Sequence, residues 1–199
     1  EPQYIEPTAD RQGITSLTAR FTSTSEKYEN QVLAKLNVED PEATEFIIPV
    51  PWFYPEESTD PTSIHMTRVR LEAELAPNCR IDPPLAMVDL TEENYYTFTN
   101  AQGESREIMI TGKRTKSAKC NLMTFTLTKP YQIEGFIDDD KKEVYLFTTD
   151  DLNGFSGEAT VCAHATLQTD LTVKKNYNNE QEVTVMAQDE KTTCTYKII

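Results

Sequence analysis

The chain has 199 residues, a formal net charge of -14 at pH 7 and 38% hydrophobic residues. This length allows one large domain or two small ones, each with its own core. The acidic surplus disfavours phosphate backbones and anionic lipid surfaces, because both attract Lys and Arg. We therefore expect no nucleic-acid partner. No apolar stretch approaches the roughly 20 residues that span a bilayer.

The opening residues "EPQYIEPTAD" contain neither an initiating Met nor a signal peptide. We therefore expect a chain from which an upstream segment has been trimmed. A signal, a tether or neither could have preceded it, and the residues present do not distinguish these alternatives.

Four segments of the first part of the chain recur in the same order in the second part. The pairs are 13–21 with 121–129, 45–50 with 143–148, 76–83 with 162–169, and 95–112 with 181–198. Each pair shares an alternation of apolar and polar residues, which is typical of strands. The first unit is longer, with extra residues at about 24–42 and 56–66.

Each unit is predicted to open with a short strand and to close on a β-hairpin. The hairpins are expected around "AQGES" and "QDEK", because alternating residues flank both loops. The pattern predicts an all-β chain of two tandem immunoglobulin-like β-sandwich domains. We place the domains at residues 1–115, with longer loops, and 116–199, with "GKRTKSAK" (112–119) as the linker. A few helical residues are expected near "SEKYENQVLAKL".

The four Cys residues have settings that favour small unpaired residues over disulfides. Cys79 and Cys194 share strand parity with apolar neighbours, in "LAPNCRI" and "TTCTYKII", as buried free Cys often does. Cys162 has the opposite parity, and Cys120 lies at a strand entrance. A disulfide stays open as the alternative if the protein is exported. A zinc site is disfavoured, because no CxxC or paired His spacing occurs.

The sequence shows no pattern in which a nucleophile, a base or a metal ligand is spaced as in an enzyme active site. Of the two His residues, His65 and His164, the second aligns with Asn78 at a turn, which favours a turn role over catalysis. "GFSG" (154–157) is one residue short of the G-x-S-x-G elbow and is predicted to be a loop. The acidic run 138–140 is typical of a solvated turn and lacks calcium-loop spacing. We expect no catalytic residue, no cofactor and no metal.

The stretch "PVPWFYPEES" (49–58) holds the single Trp of the chain. Strand alternation places Trp52 and Tyr54 on the packed face or at its rim, with Tyr54 at the frayed end of the strand. Pro49 and Pro51 remove N–H donors from one side, which predicts a protected edge strand with Phe53 at the exposed edge. Aromatic faces beside acids suit sugar recognition. The candidate binding residues are therefore Phe53, Tyr54, Glu56 and Glu57.

Several further motifs accompany the repeat, namely the two hairpin endings, the "P-N/H-A/C-x-I/L" turn before them, "VPWFYPEES", "MTRVRLEAEL" and "MVDLTEEN". Together they resemble a family of Bacteroidetes surface lipoproteins of unknown function built from immunoglobulin-like repeats. The resemblance covers nearly the whole chain. It implies an exported protein tethered through a lipidated Cys upstream of Glu1, on the outer face of the outer membrane or in the periplasm. It also implies a setting in which glycans are captured.

The sequence thus predicts a non-catalytic binding or spacer module of the cell surface, with a glycan or a surface protein as its partner. The alternative is a structural or adhesive subunit that mediates protein–protein contacts. Contact with a membrane is expected only through a lipid tether. A fold-level resemblance does not by itself assign an activity.

Overall fold

The computed structural model describes residues 13–23 and 26–199. Within these ranges the helical structure consists of two short 3₁₀ turns, Glu26–Tyr28 and His65–Thr67, and no helix is long and apolar enough to cross a membrane. The chain divides into two compact units, Glu1–Thr115 and Lys116–Ile199. Each unit is a β-sandwich, so the predicted all-β fold with two tandem sandwiches is confirmed.

Unit 1 consists of two four-stranded sheets. Its strands are β1 (Ile14–Phe21), β2 (Val32–Asn37), β3 (Glu45–Pro51), β4 (Val69–Leu75), β5 (Arg80–Asp82), β6 (Met87–Val88), β7 (Asn94–Thr99) and β8 (Ser105–Thr115). One sheet has the order β2-β1-β4-β6 and the other has the order β3-β8-β7-β5. The β3–β8 pair is parallel and the other pairs are antiparallel. The inward residues of both sheets form one core, which includes Leu17, Phe21, Ile48, Leu71, Leu90, Phe98, Ile108 and Ile110.

Unit 2 repeats this arrangement with one additional strand. Its strands are β9 (Leu122–Lys129), β10 (Ile133–Glu134), β11 (Phe136–Asp138), β12 (Glu143–Tyr145), β13 (Asn153–Val161), β14 (Thr166–Leu167), β15 (Lys175–Asn176), β16 (Gln181–Met186) and β17 (Thr193–Ile198). The sheets have the orders β10-β9-β13-β15 and β11-β12-β17-β16-β14, with β12 and β17 parallel. The core includes Phe125, Leu127, Val144, Phe155, Val183, Val185, Tyr196 and Ile198.

The order of strands confirms the internal repeat that the sequence predicts. In the parallel pairs, Phe46 lies opposite Ile110 in unit 1 and Val144 lies opposite Ile198 in unit 2. The residue-by-residue alignment of the hairpins is wrong, however. Buried Tyr96 corresponds to Val183, one position away from the predicted match, because core packing sets the register.

Two local backbone features also repeat. Asn78 and His164 both have a left-handed φ, of 63° and 64°, in turns that the following residue closes with a backbone hydrogen bond. The predicted turn role of His164 is thereby confirmed. The ladders shift register between Ile14 and Ser16 in β1, and β9 has the same shift near Leu122. Such a bulge bends the strand and increases its twist.

The prediction of unpaired Cys residues is wrong for two of the four. Cys120 and Cys194 form a disulfide, with their Cα atoms 5.6 Å apart, whereas Cys79 and Cys162 are free thiols. Parity within a strand shows which face a side chain takes. It does not show that the entrance of β9 lies beside β17, and this neighbourhood brings the two sulfur atoms together.

Two boundary predictions also need correction. Residues 112–115 of the predicted linker belong to β8, because they pair with the β3 segment 48–51. "GFSG" is part of β13 rather than a loop, and its Ser156 is buried. The serine is therefore buried in a strand, whereas the nucleophile of a G-x-S-x-G elbow is exposed at a turn.

Candidate functional site

Trp52, the single Trp of the chain, directly follows β3 and is half-buried, in agreement with a place at the rim of the sandwich. The guanidinium of Arg114 lies over the Trp52 ring, with its central carbon 4.0 Å from the ring centroid. Arg114 also donates hydrogen bonds to the Trp52 carbonyl and to the Thr62 hydroxyl. Desolvation lowers the pKa of Arg114. These contacts fix the start of the loop that follows Trp52.

The predicted binding residue Tyr54 is engaged in packing. Its ring lies 4.7 Å from the ring of Phe21 and 5.0 Å from that of Tyr28, and its hydroxyl donates to Gln31 Oε1 at 2.9 Å. Phe53 forms an isolated bridge with Pro61 and is half-buried rather than fully exposed. The rings therefore support the loop more than they face solvent.

The acidic half of the predicted site lies in the same loop. Glu56 and Glu57 are both exposed. The structure thus places the four predicted residues in one loop of unit 1, with the Tyr54 ring packed inward, the Phe53 ring half-buried and the two carboxylates exposed. Binding at this loop stays a prediction.

β3 is an edge strand, as the prolines predict. The carbonyl of Thr44 accepts from Met109 N at 2.8 Å, so even-numbered residues of β3 direct their backbone groups toward β8. Pro49 and Pro51 then face the open side, where they remove the donors that another strand would need. The edge of unit 1 is protected by its sequence.

A second surface, in unit 2, was missed by the sequence prediction. Tyr145 and Phe147 lie next to each other on the outer side of the sheet, with ring centroids 6.1 Å apart and planes 28° from parallel. Phe136 lies directly opposite Tyr145 in the β11–β12 ladder. Phe147 is 77% exposed and Phe136 is 62% exposed. We call these three residues the aromatic row.

The signal for part of the aromatic row was present in the sequence. Val144 is buried and Leu146 packs against the core, so alternation turns Tyr145 and Phe147 outward. Phe136 could not be found in this way. Its position depends on the register of β11 against β12, which the sequence pattern does not specify.

Carboxylates flank the aromatic row on the same face of the sheet. Asp138 pairs with Glu143 across β11 and β12, and Glu143 pairs with Lys197 across β12 and β17. The hydroxyl of Tyr145 donates to the carboxylate of Glu143. This hydrogen bond raises the pKa of Tyr145. The row therefore combines exposed rings with acceptors that suit hydroxyl groups.

Asp139, in the acidic run 138–140 at the end of β11, belongs to a structural network. Asp139 accepts from the hydroxyl of Tyr196, from Lys142 Nζ at 3.0 Å and from Asn121 Nδ2 at 3.0 Å. These bonds lower the pKa of Asp139, with the Tyr196 hydroxyl as the largest cause. Tyr196 in turn accepts from the backbone N of Leu122. Within residues 13–23 and 26–199, no group of three or more His, Cys, Asp or Glu could hold a metal ion.

The fold and these surfaces define a protein of two tandem β-sandwich units with an outward-facing aromatic row. The first unit matches the family model described as domain of unknown function (DUF5018), over residues 1–112. The chain belongs to this family. Residues 122–199 match a second model, domain of unknown function (DUF8499). No curated protein matches the chain.

Two solved structures from Bacteroides are similar to parts of the chain. One is a "putative glycoside hydrolase" from Bacteroides thetaiotaomicron, with 20% identity and a TM-score of 0.37. The likeness covers 71% of this chain and 36% of that one, so the chain spans about a third of its length. The other is a "putative secreted protein" from Bacteroides fragilis, with 15% identity and a TM-score of 0.32. It covers 55% of this chain and 100% of that one.

Proposed function

We propose that the protein is a non-catalytic binding module of the cell surface and that its ligand is a glycan. The observation that carries this proposal is the aromatic row, in which Phe147 exposes most of its ring beside Tyr145 and Phe136. Exposed apolar surface rimmed by polar groups is a mark of interaction sites on soluble proteins.

The chemistry of the row favours a sugar ligand. Ring faces stack on the apolar faces of a sugar, and neighbouring polar groups orient its hydroxyl groups. Here Glu143 and Asp138 lie along the strands that carry Tyr145 and Phe136, so acceptors are next to the rings. The loop of unit 1 with Phe53, Tyr54, Glu56 and Glu57 is proposed as a secondary contact.

An extracytoplasmic location is part of the proposal. The Cys120–Cys194 disulfide supports it, because disulfides persist in oxidising compartments and are rare in the cytosol. From the motif resemblance we also propose that the sandwiches are immunoglobulin-like and that a lipid tether places the protein at the outer membrane. Protease shaving of intact cells expressing the full reading frame, followed by detection of unit 2, would test surface placement.

The second candidate is an adhesive or spacer subunit that contacts another protein. Ile199 is 54% exposed, and its backbone bonds to Val144 and Leu146 of the β12 segment that bears the aromatic row. Apolar and aromatic groups of this kind are also enriched in protein interfaces. Binding to a surface protein with no retention by any glycan would favour this alternative.

Affinity electrophoresis through gels containing neutral polysaccharides tests the glycan proposal. We expect at least one gel to retard the protein and Phe147→Ala to weaken this retardation by about tenfold, the equivalent of about one stacking contact. Phe53→Ala tests the secondary contact in the same gels. Val173→Ala, another exposed apolar side chain of unit 2, is the matched control and should leave retardation unchanged.

Three results would contradict the proposal. Migration unaffected by every polysaccharide would remove the glycan ligand, and retardation that survives Phe147→Ala would move the site elsewhere. Release of reducing sugars by the wild-type protein from a retained polysaccharide would show that the module is catalytic after all.

A further inference from the structure

A groove of about 380 Å³ lies beside the aromatic row. Its lining residues are Met123, Thr124, Phe125, Thr126, Glu134, Gly135, Phe136 and Ile137. The volume falls within the range of small-molecule sites, about 300–1,000 Å³. Met123, at the bulge of β9, is 59% exposed, and Glu134 is exposed as well. The groove therefore offers both apolar surface and an acceptor.

The groove exists because the chain changes sheets between β10 and β11. β10 pairs with β9 and β11 pairs with β12, so the crossing at Gly135 opens a space between β9 and β11. Gly135 N donates to the carbonyl of Phe125 at 2.8 Å. A Cβ at this position would lie 2.8 Å from Val144 Cγ1 and 3.0 Å from the Phe125 carbonyl, so only glycine allows the close crossing.

Phe136 belongs to both features. It lines the groove, and it lies opposite Tyr145 at the end of the aromatic row. Side chains directly opposite in a ladder have Cβ atoms about 4.5–5.5 Å apart, so no gap separates Phe136 from Tyr145. The exposed surface therefore continues from Phe147 through Tyr145 and Phe136 to Met123.

Resting on the proposed function, we infer that the aromatic row and the groove form one continuous site for an extended stretch of a neutral glycan chain. A single sugar stacked on Phe147 uses only one end of this surface. A longer chain also contacts Phe136 and reaches Met123 and Glu134 in the groove. Affinity therefore rises with chain length.

The charge of the site selects against acidic glycans. Glu134 lines the groove, and Asp138 and Glu143 flank the row, in a chain with a net charge of -14. A chain of uronic acids is repelled by these carboxylates, whereas neutral hydroxyl groups donate to them. Lys197 is the cation paired in the ladder beside Glu143, and it also forms an ion pair with Glu180.

Calorimetric titration with neutral gluco-, xylo- and manno-oligosaccharides, from disaccharides to octasaccharides, tests the inference. In the series that binds, the wild-type affinity should rise about tenfold or more with length. Phe147→Ala should weaken all lengths. Met123→Ala and Glu134→Ala should weaken only the long oligosaccharides, and Phe136→Ala should remove the length dependence. Val173→Ala is the control, and unfolding curves verify that each variant folds.

Distinct results separate this inference from the proposed function. A constant affinity from the shortest binding oligosaccharide upward, or long-chain affinity unchanged by Met123→Ala and Glu134→Ala, overturns the continuous site while glycan binding stands. Equal affinity for polygalacturonate overturns the selection for neutral chains. Binding to none of the oligosaccharides overturns both proposals.

Discussion

The two units protect the same edge in different ways. In unit 1, β3 ends its sheet, and Pro49 and Pro51 block the open side. In unit 2, the matching strand β12 is covered by β11. The outward positions Ile47 and Pro49 of unit 1 correspond to Tyr145 and Phe147 in unit 2. When another strand covers the edge, as in unit 2, both outward positions of the covered strand can carry aromatic residues. When proline protects the edge, as in unit 1, the proline occupies one of these two positions.

The interiors differ at a second matched position. Ile108 of unit 1 corresponds to Tyr196 of unit 2, and both side chains are fully buried. Ile108 contributes only packing, whereas Tyr196 brings a hydroxyl that needs partners. The Asp139 network and the disulfide also belong to unit 2. Unit 2 is thus held together by specific polar and covalent links in addition to its core.

The disulfide gives the largest expected difference between the units. Replacing Cys120 and Cys194 with Ser removes a crosslink across a sequence separation of 74 residues. Loop-closure entropy predicts that the free energy of unfolding of unit 2 falls by about 4 kcal/mol. Hydrogen exchange read by mass spectrometry should show faster exchange in β9 and β17 and no change in β1 and β8. The Cys79→Ser, Cys162→Ser double variant keeps the disulfide and should behave as wild type.

Tyr196→Phe should give the next largest effect. It leaves the buried N–H of Leu122 without its acceptor, at an expected cost of about 1–3 kcal/mol. The matched control is Tyr177→Phe, because the buried hydroxyl of Tyr177 has no hydrogen-bond partner among the described residues. Urea unfolding should show a clear loss for the first variant and little or none for the second. Equal losses would mean that the network adds nothing to packing.

Acidification should weaken unit 2 through Asp139. Its pKa is lowered in the folded state by the Tyr196 hydroxyl, Lys142 and Asn121, so the unfolded chain takes up this proton at a higher pH. The stabilisation is complete above about pH 4 and is lost as the pH falls through the folded-state pKa. Because the side chain of Asp139 is half exposed, solvent screening keeps the effect small. Urea midpoints at neutral and acidic pH should differ less for Asp139→Asn than for wild type.

The edge prolines should have the smallest effect on stability. Replacing Pro49 and Pro51 with Thr restores two donors on the open side of β3, and the free energy of unfolding should change by about 1 kcal/mol or less. The visible change should be concentration-dependent association, measured by light scattering after size exclusion. Pro84→Thr, at an exposed position outside the strands, is the control. A monomeric double variant would show that the edge needs no protection.

Much of this architecture follows from alternation alone. Residues with the parity of Phe46 and Ile48 had to face inward, so the strands, the repeat and the hairpins could be predicted. The prolines predicted the edge strand, because Pro has no backbone N–H to donate to a neighbouring strand on that side. These conclusions use only the local geometry of one strand.

The features that the sequence did not predict depend on which strands are neighbours in the fold. The disulfide depends on where the entrance of β9 lies relative to β17, and Phe136 depends on the pairing of β11. The predicted alignment of the two hairpins was shifted, because similarity between the residues of two segments does not determine the register of their strands. Strand alternation turned Tyr54 toward the packed face, but its ring partner Phe21 is distant in sequence and could not be identified from one strand. Long-range packing decides such positions, and a single sequence carries little information about it.

The crosslink between the first and last long strands of unit 2 also has a mechanical consequence. Tension applied at the two ends of this unit passes through the Cys120–Cys194 bond instead of through the sheets. Residues 116–119 and 195–199 lie outside the bridge, and the second segment is the end of β17, so pulling at both ends can strip part of this one strand and then stops at the bridge. The sequence separation of 74 residues between the bridged positions is thereby removed from the length that tension between the two ends can extend.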